Sequence, residues 1–405
     1  MTGLDVRPRS SAEPPASRTA RLHALGRALG DAGAHLAGRV EEMHRSIAGR
    51  AFAAAGPGAA PARTAHDAIS AAVYAAVRGG ARLGGGAAGV IAALTPLAEG
   101  EWLEGSCVAF LEGAVCGVLG DHVEERHAAL APRMAVRLAG RDVAVEPAAL
   151  AGAFPRAERR VAVFLHGLCE TEAAWGRPAL DDDALGTYGD RLRRHLGHSP
   201  VFLRYNSGLR VAENGRRFAE LLDRLVAAWP VELEELVLIG HSMGGLVVRS
   251  ACLQGERRGL PWVGRVRHCV YLGTPHDGAA LERAAGRAAG ALRLLPETRA
   301  LAFAIEVRSA GIKDLADPEL GPLLASARHH AIAATVGASP DHLSSRLLGD
   351  TLVLHGSALG HGRRSGAALA LDEGDRHHLG GLHHFSLLDH PLVYERLRRW
   401  LAQDV

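Results

Sequence analysis

The chain has 405 residues, 48% of them hydrophobic and 22% charged. That balance supplies a core and excludes a wholly disordered protein, and the length suits two domains or one enlarged α/β domain. A formal charge of +2, from 46 basic against 44 acidic residues, argues against a nucleic-acid binder, which would carry a basic stripe.

Residues 1–20 are polar with Pro and Ser, and read as a disordered tail without the apolar core of a secretory signal. From Leu22 onward, Leu25, Leu29, Leu36, Val40, Met43 and Ile47 recur at helical spacing until GPGAAP (56–61) interrupts them. Thr64 with Asp67 resembles a capping box, and Ile69, Val73 and Val77 then repeat every four residues. The uncharged stretch Leu83–Ala98 contains Pro96 and is shorter than the ~20 residues of a membrane-spanning helix. A further helix is expected over roughly 101–119. A helical N-terminal domain is thus expected over 21–130. The 49 glycines and abundant alanines look like compositional bias, with little mechanistic weight.

Around residue 133 the pattern changes, and the second domain is taken as 131–405. MAVRL and RDVAVE alternate as a β-hairpin, and buried strands are expected at 159–165, 200–206, 236–239, 266–273 and 329–337. A helix over Glu213–Ala228 and another over Leu392–Leu401 show one apolar face each. Short apolar strands alternating with helices predict an α/β fold, a mostly parallel sheet with helices on both faces. Residues 278–325 form a longer helical insertion, a candidate lid. Five cysteines with no CxxC spacing read as packed thiols rather than a disulfide framework.

Gly240-His241-Ser242-Met243-Gly244-Gly245 stands directly after the strand LVLI and before LVVRSACL. A G-x-S-x-G between strand and helix makes a nucleophile elbow, projecting the Ser242 hydroxyl from the sheet's carboxyl edge. The Met243 N–H, at the N-terminus of the next helix, can bind an oxyanion. His166-Gly167-Leu168 follows the strand VAVFL, where this architecture places the second oxyanion donor, assigned to the Leu168 N–H. His166 reads as structural, its ring bonded to loop backbone, and Cys169 as a packed thiol. The base should follow the last strand, which offers His383 and His384. For the acid, Asp350 in LLGDTLV is preferred by order and placement over Asp341, Asp277 and Asp314. The seven histidines between His355 and His390 lack the spacing of a zinc site, and the Arg-rich helices read as solvated faces.

Together HGLCETEAAW (166–175), LIGHSMGGLVVRSA (238–251), LGTPHDGA (272–279), GDTLV (349–353) and HHFSLL (383–388) resemble the α/β-hydrolases. Within them, the chain is similar to bacterial triacylglycerol lipases and GPI inositol-deacylase-type esterases, over roughly residues 133–403. In such proteins an N-H-x-x-L-L stretch supplies the histidine, so the resemblance implies His384, with His383 in the asparagine's place. Their GDGLV pattern matches Gly349-Asp350, with Thr351 where glycine is usual. The resemblance implies an α/β-hydrolase domain over 131–405 and a serine carboxylic-ester hydrolase, lipase- or esterase-like, with Ser242, Asp350 and His384 as triad. It implies a small-molecule acyl ester or lipid substrate and no cofactor, while spacing and charge lead us to expect no metal and no nucleic-acid partner. Acyl transfer on the same triad, a non-catalytic scaffold, and peripheral membrane contact through the N-terminal helices are the alternatives. With no secretory signal or spanning segment visible, a cytoplasmic location, with or without membrane association, is expected.

Overall fold

The computed structural model describes scattered positions between 26 and 56, then residues 60–94, 106–126, 131–176, 186–279, 309–316, 320–361 and 368–402. The chain divides into two compact units, residues 1–99 with 127–130 and residues 100–126 with 131–405. The expected tail over 1–20 and most of the expected lid over 278–325 lie outside the described residues.

In the first unit, helix α1 (Ala60–Leu94) starts four residues before Thr64. The Thr64 hydroxyl donates to the Ala60 carbonyl at 3.1 Å, so it sits within the helix and does not cap it. Ile69, Val73 and Val77 are 65%, 54% and 50% exposed. No helix among the described residues is long and apolar enough to cross a membrane. Helix α2 (Ser106–Arg126), read from sequence with the N-terminal helices, belongs to the second unit. Residues 100–126 thus group with the sheet, while residues 127–130 group with residues 1–99.

The second unit is built on an eight-stranded sheet. Its strands are β1 (Ala135–Leu138), β2 (Arg141–Val143), β3 (Arg160–Leu165), β4 (His198–Arg204), β5 (Glu235–His241), β6 (Val266–Leu272), β7 (Arg328–Thr335) and β8 (Arg376–Gly380). Their spatial order is β2-β1-β4-β3-β5-β6-β7-β8. The hairpin β1–β2 pairs antiparallel, and β1 adds antiparallel to β4. From β4 to β8 every pairing is parallel. After β3 the chain first forms β4 on one side and then β5 on the other, so the direction of winding reverses at β3 and β5. Crevices at such a reversal, outside the carboxyl ends of the strands, are where ligands bind in open α/β sheets.

Helix packing follows the strand alternation. Val161, Val163 and Leu165 of β3 face one layer, with Leu236 and Leu238 of β5. That layer is closed by Phe218, Leu221, Leu222 and Leu225 of α5 and Val247, Val248 and Ala251 of α6. Their intervening neighbours Ala162, Phe164, Val237 and Ile239 face the other layer, closed by Leu192 of α4 and Val393, Leu397 and Trp400 of α7. Here α3 is Pro147–Ala153, α4 Tyr188–Leu196, α5 Val211–Ala228, α6 Met243–Arg257 and α7 Pro391–Leu401. Each fully buried Leu or Phe contributes about 1.5–3 kcal/mol of transfer free energy. Pro391 opens α7, where its missing N–H costs no helix bond, and the His390 ring accepts from Leu392 N–H. A capping box of Thr187 and Asp190 starts α4, and Gly197 ends it in the left-handed region.

Candidate active site

Ser242 lies between the end of β5 and the start of α6, with φ 51° and ψ −122°. Few L-residues hold that conformation, and the surroundings must impose it. Its N–H donates to the Leu272 carbonyl of β6 at 2.8 Å, and its carbonyl accepts from Gly245 N–H at 3.1 Å. A methyl group on Gly244 would stand 2.5 Å from the Leu165 carbonyl oxygen and 2.6 Å from that of His166. The elbow is thus pressed directly against the end of β3. Met243, the first residue of α6, presents an N–H of the first turn, where the helix has no internal acceptors.

The loop after β3 brings the second amide. A Cβ on Gly167 would lie 3.1 Å from the Ser242 Cβ, so this backbone runs beside the nucleophile. Gly167 N–H is already taken, donating to Glu170 Oε2 at 2.5 Å. Among the described residues, the Leu168 N–H has no protein acceptor and faces no such competition. The Leu168 side chain packs with Met243 and Leu246. His166 is buried; its Nδ1 donates to the Gly167 carbonyl at 2.8 Å, and its Nε2 accepts from Tyr205 N–H at 3.3 Å. Burial lowers its pKa, and Tyr205 stacks on the ring at 4.3 Å. That leaves it a neutral strut within the loop. Burial also pushes the Cys169 thiol up to about 11, away from the thiolate a nucleophile needs.

Asp350 follows β7, and His384 follows β8. Asp350 Oδ2 meets His384 Nδ1 at 2.6 Å, and both residues are buried. The other oxygen, Oδ1, accepts from Leu352 N–H at 3.0 Å and Val353 N–H at 2.8 Å. The Asp350 carbonyl accepts from His384 N–H at 2.9 Å, so main chain and side chain together tie the two loops. His384 reaches to the end of β6: a Cβ on Gly273 would stand 3.0 Å from its Cε1. His383 is exposed, as is Asp341. Asp314 is spent elsewhere, accepting from Val211 N–H at 2.9 Å and pairing with Arg210 at 3.0 Å. Asp277, after β6, takes its N–H to the Ser357 hydroxyl at 3.0 Å. All five residues singled out from sequence, Ser242, Asp350, His384, Leu168 and Met243, stand on loops or a helix start that follow β5, β7, β8 and β3.

Two side chains beside the nucleophile escaped the sequence reading. Glu170 Oε2 faces His241 Nδ1 at 3.0 Å, and His241 Nε2 faces the His384 carbonyl at 3.3 Å. Burial works to raise the Glu170 carboxyl, but the His241 charge, the His241 bond and the Gly167 N–H outweigh it and bring it down to about 2. Burial likewise works to lower His241, and the Glu170 charge and hydrogen bond outweigh it and hold the ring above the ordinary imidazole value. Both residues lie inside quoted motifs, but no spacing rule links positions 170 and 241. Only the adjacency of β3 and β5 does.

Among the described residues, no group of three His, Cys, Asp or Glu is placed to hold a metal ion.

Residues 220–287, which carry the elbow, match the family described as a PGAP1-like alpha/beta domain. The chain has an α/β-hydrolase fold. Among solved structures it is similar to a Bacillus licheniformis lipase in its mature form, 19% identical, covering 61% of this chain and 93% of that one, with a TM-score of 0.39. It is also similar to the naproxen esterase of Bacillus subtilis (13% identical, covering 60% and 83%, TM-score 0.33). A thioesterase of prodiginine biosynthesis in Streptomyces coelicolor is a further likeness (19% identical, covering 61% and 90%, TM-score 0.34). No curated protein matches the chain.

Proposed function

We propose that this α/β-hydrolase is a serine carboxylic-ester hydrolase acting through Ser242, His384 and Asp350. The observation that carries the reading is the buried 2.6 Å contact of Asp350 Oδ2 with His384 Nδ1, on loops at the same sheet edge as a serine held at positive φ. A histidine so anchored donates Nδ1–H to the carboxylate and leaves Nε2 as the base. Ser242 Oγ attacks the acyl carbonyl carbon while its proton passes to His384 Nε2. The Leu168 and Met243 N–H groups receive the oxyanion. Nε2 then returns the proton to the leaving alcohol, and the acyl group stays on Ser242. Water adds to the acyl-enzyme with His384 as general base, releasing the acid and restoring the serine.

The test is hydrolysis of p-nitrophenyl esters, acetate through palmitate, by the wild type and Ser242→Ala. Wild-type turnover that falls by about 10³-fold or more in the variant is the expected result. The chain-length profile separates an esterase from a lipase. Equal rates in the two proteins overturn the proposal.

A further inference from the structure

Beneath Ser242 the three parts of the proposed machinery sit on separate loops: Leu168 after β3, Ser242 after β5, and His384 after β8. Glu170 and His241 touch all three. Glu170 Oε2 accepts Gly167 N–H, the amide next to Leu168, at 2.5 Å and faces His241 Nδ1 at 3.0 Å. His241 precedes Ser242 in the chain, and its Nε2 faces the carbonyl of His384 at 3.3 Å. A carboxylate and a carbonyl oxygen both only accept, so both ring nitrogens must donate, and His241 is an imidazolium. Its side chain is fully buried and that of Glu170 is 8% exposed, so water neither screens the pair nor replaces it. The His241 and His384 rings lie 4.7 Å apart between centroids.

We infer that Glu170 and His241 form a buried ion pair that positions the catalytic apparatus, locking the oxyanion loop, the elbow and the His384 loop into one register. The inference rests on the proposed hydrolase reading for its kinetic consequence and on geometry alone for the ion pair. Neither side chain touches the reacting atoms. Glu170 fixes which loop amide stays free for an oxyanion, because it consumes Gly167 N–H and leaves Leu168 N–H. His241 holds the His384 main chain, whose side chain is held separately by Asp350. Loss of one arm lets the base shift relative to Ser242, and a displacement near 1 Å costs on the order of 100-fold in rate. The charged and titratable groups acting on His241 are Glu170 from the β3 loop and His384 and Asp350 from the β8 and β7 loops, and His166 acts in turn on Glu170. Trp175 and Phe385 supply its aromatic walls.

Two substitutions separate the arms. An asparagine amide at position 241 reaches as far as Nδ1 and keeps the Glu170 arm; a glutamine amide reaches as far as Nε2 and keeps the His384 arm. In the p-nitrophenyl ester assay, normalised to serine labelled by a fluorophosphonate, His241→Asn is expected to lose about 10- to 100-fold in kcat with KM within about two-fold. His241→Gln should recover most of that loss. Equal, wild-type kcat in both variants overturns the positioning role, even if their melting temperatures fall, because a purely structural pair would change only the amount folded. A second readout needs no activity. In ¹⁵N-histidine spectra near pH 7.5, where an ordinary imidazole is mostly neutral, the wild type should show one ring protonated on both nitrogens. That ring should become neutral in Glu170→Gln. A wild type with every imidazole neutral at that pH overturns the ion pair whether or not the protein hydrolyses esters. A wild type that shows the charged ring but neither labels nor turns over would instead sink the hydrolase reading and, with it, the positioning role.

Discussion

Glu170 and His241 are 71 positions apart, yet their pair makes stability depend on pH in a defined way. A carboxylate that ordinarily titrates at 4.5 and is held at about 2 in the fold contributes stability that is fully present above 4.5. That contribution is lost as pH falls from about 4.5 toward 2. The raised imidazole of His241 contributes in the opposite sense, present below its ordinary value of 6.5 and lost as pH rises through its raised value. Removing one partner of a buried pair costs up to about 3–5 kcal/mol, because the other group is left unpaired or must give up its charge. Glu170→Gln should therefore be less stable than wild type at neutral pH, with the gap closing toward pH 2 and again in alkali. Urea unfolding at a series of pH values measures it; a gap that stays constant across the acid range would mean that Glu170 is not ionised in the fold. At this scale the sequence was legible where a local motif existed. Ser242 and its elbow follow from strand, glycine and helix in order. The preference for His384 over His383 needed the lipase-like pattern; in the structure His384 is buried and His383 exposed. Glu170 was invisible because its partner arrives only through the pairing of β3 with β5.

Among the elements, the turn after β7 carries the departure from the lipase-like pattern. Gly349 has φ 61° and Thr351 φ 94°, so the turn needs the left-handed region twice and has glycine only once. A β-branched residue there is strained by about 1–3 kcal/mol. The Thr351 side chain is exposed, so deleting it sacrifices little packing. Thr351→Gly should stabilise the protein by about 1 kcal/mol after the entropic cost of glycine, a rise of roughly 2 °C in melting temperature. Asp350 keeps its bonds from Leu352 and Val353 N–H, so ester turnover should stay within about two-fold. A lower melting temperature would show that the threonine makes contacts that outweigh its strain. The neighbouring strand β8 was the element least legible in sequence. Its residues, RHHLG, are polar and half-buried at the edge of the sheet, and so lack the apolar run by which β3, β5 and β6 announce themselves. Its place was implied only by the histidine that had to follow it.

For the whole molecule, α2 groups with the sheet, and composition alone would dismiss its glycines. A Cβ on Gly117 would stand 2.3 Å from Cys169 Sγ, and one on Gly113 would stand 2.5 Å from the Cys169 carbonyl oxygen. The helix backbone therefore lies directly against the loop that carries Leu168. Around it, Asn206 Nδ2 donates to the Gly120 carbonyl at 2.9 Å and to Glu124 at 3.1 Å, and Arg217 pairs with Glu124. Ala310 N–H donates to Asp121 at 2.8 Å, tying in the short helix Ala310–Asp314. Helical periodicity alone could not assign α2 to a unit, because a small-residue face resembles a compositional run until the partner backbone is seen against it. A chain of residues 100–405 is expected to unfold cooperatively and label Ser242 with a fluorophosphonate at the wild-type rate. A chain of 131–405 strips the cover from Cys169 and removes both side-chain acceptors of Glu124 and Asp121. It should melt well below the longer chain and label at least about 10-fold more slowly, since the amide next to Cys169 is the proposed oxyanion donor. Equal melting and labelling of the two chains would return α2 to the N-terminal unit and leave the oxyanion loop supported from within the sheet alone.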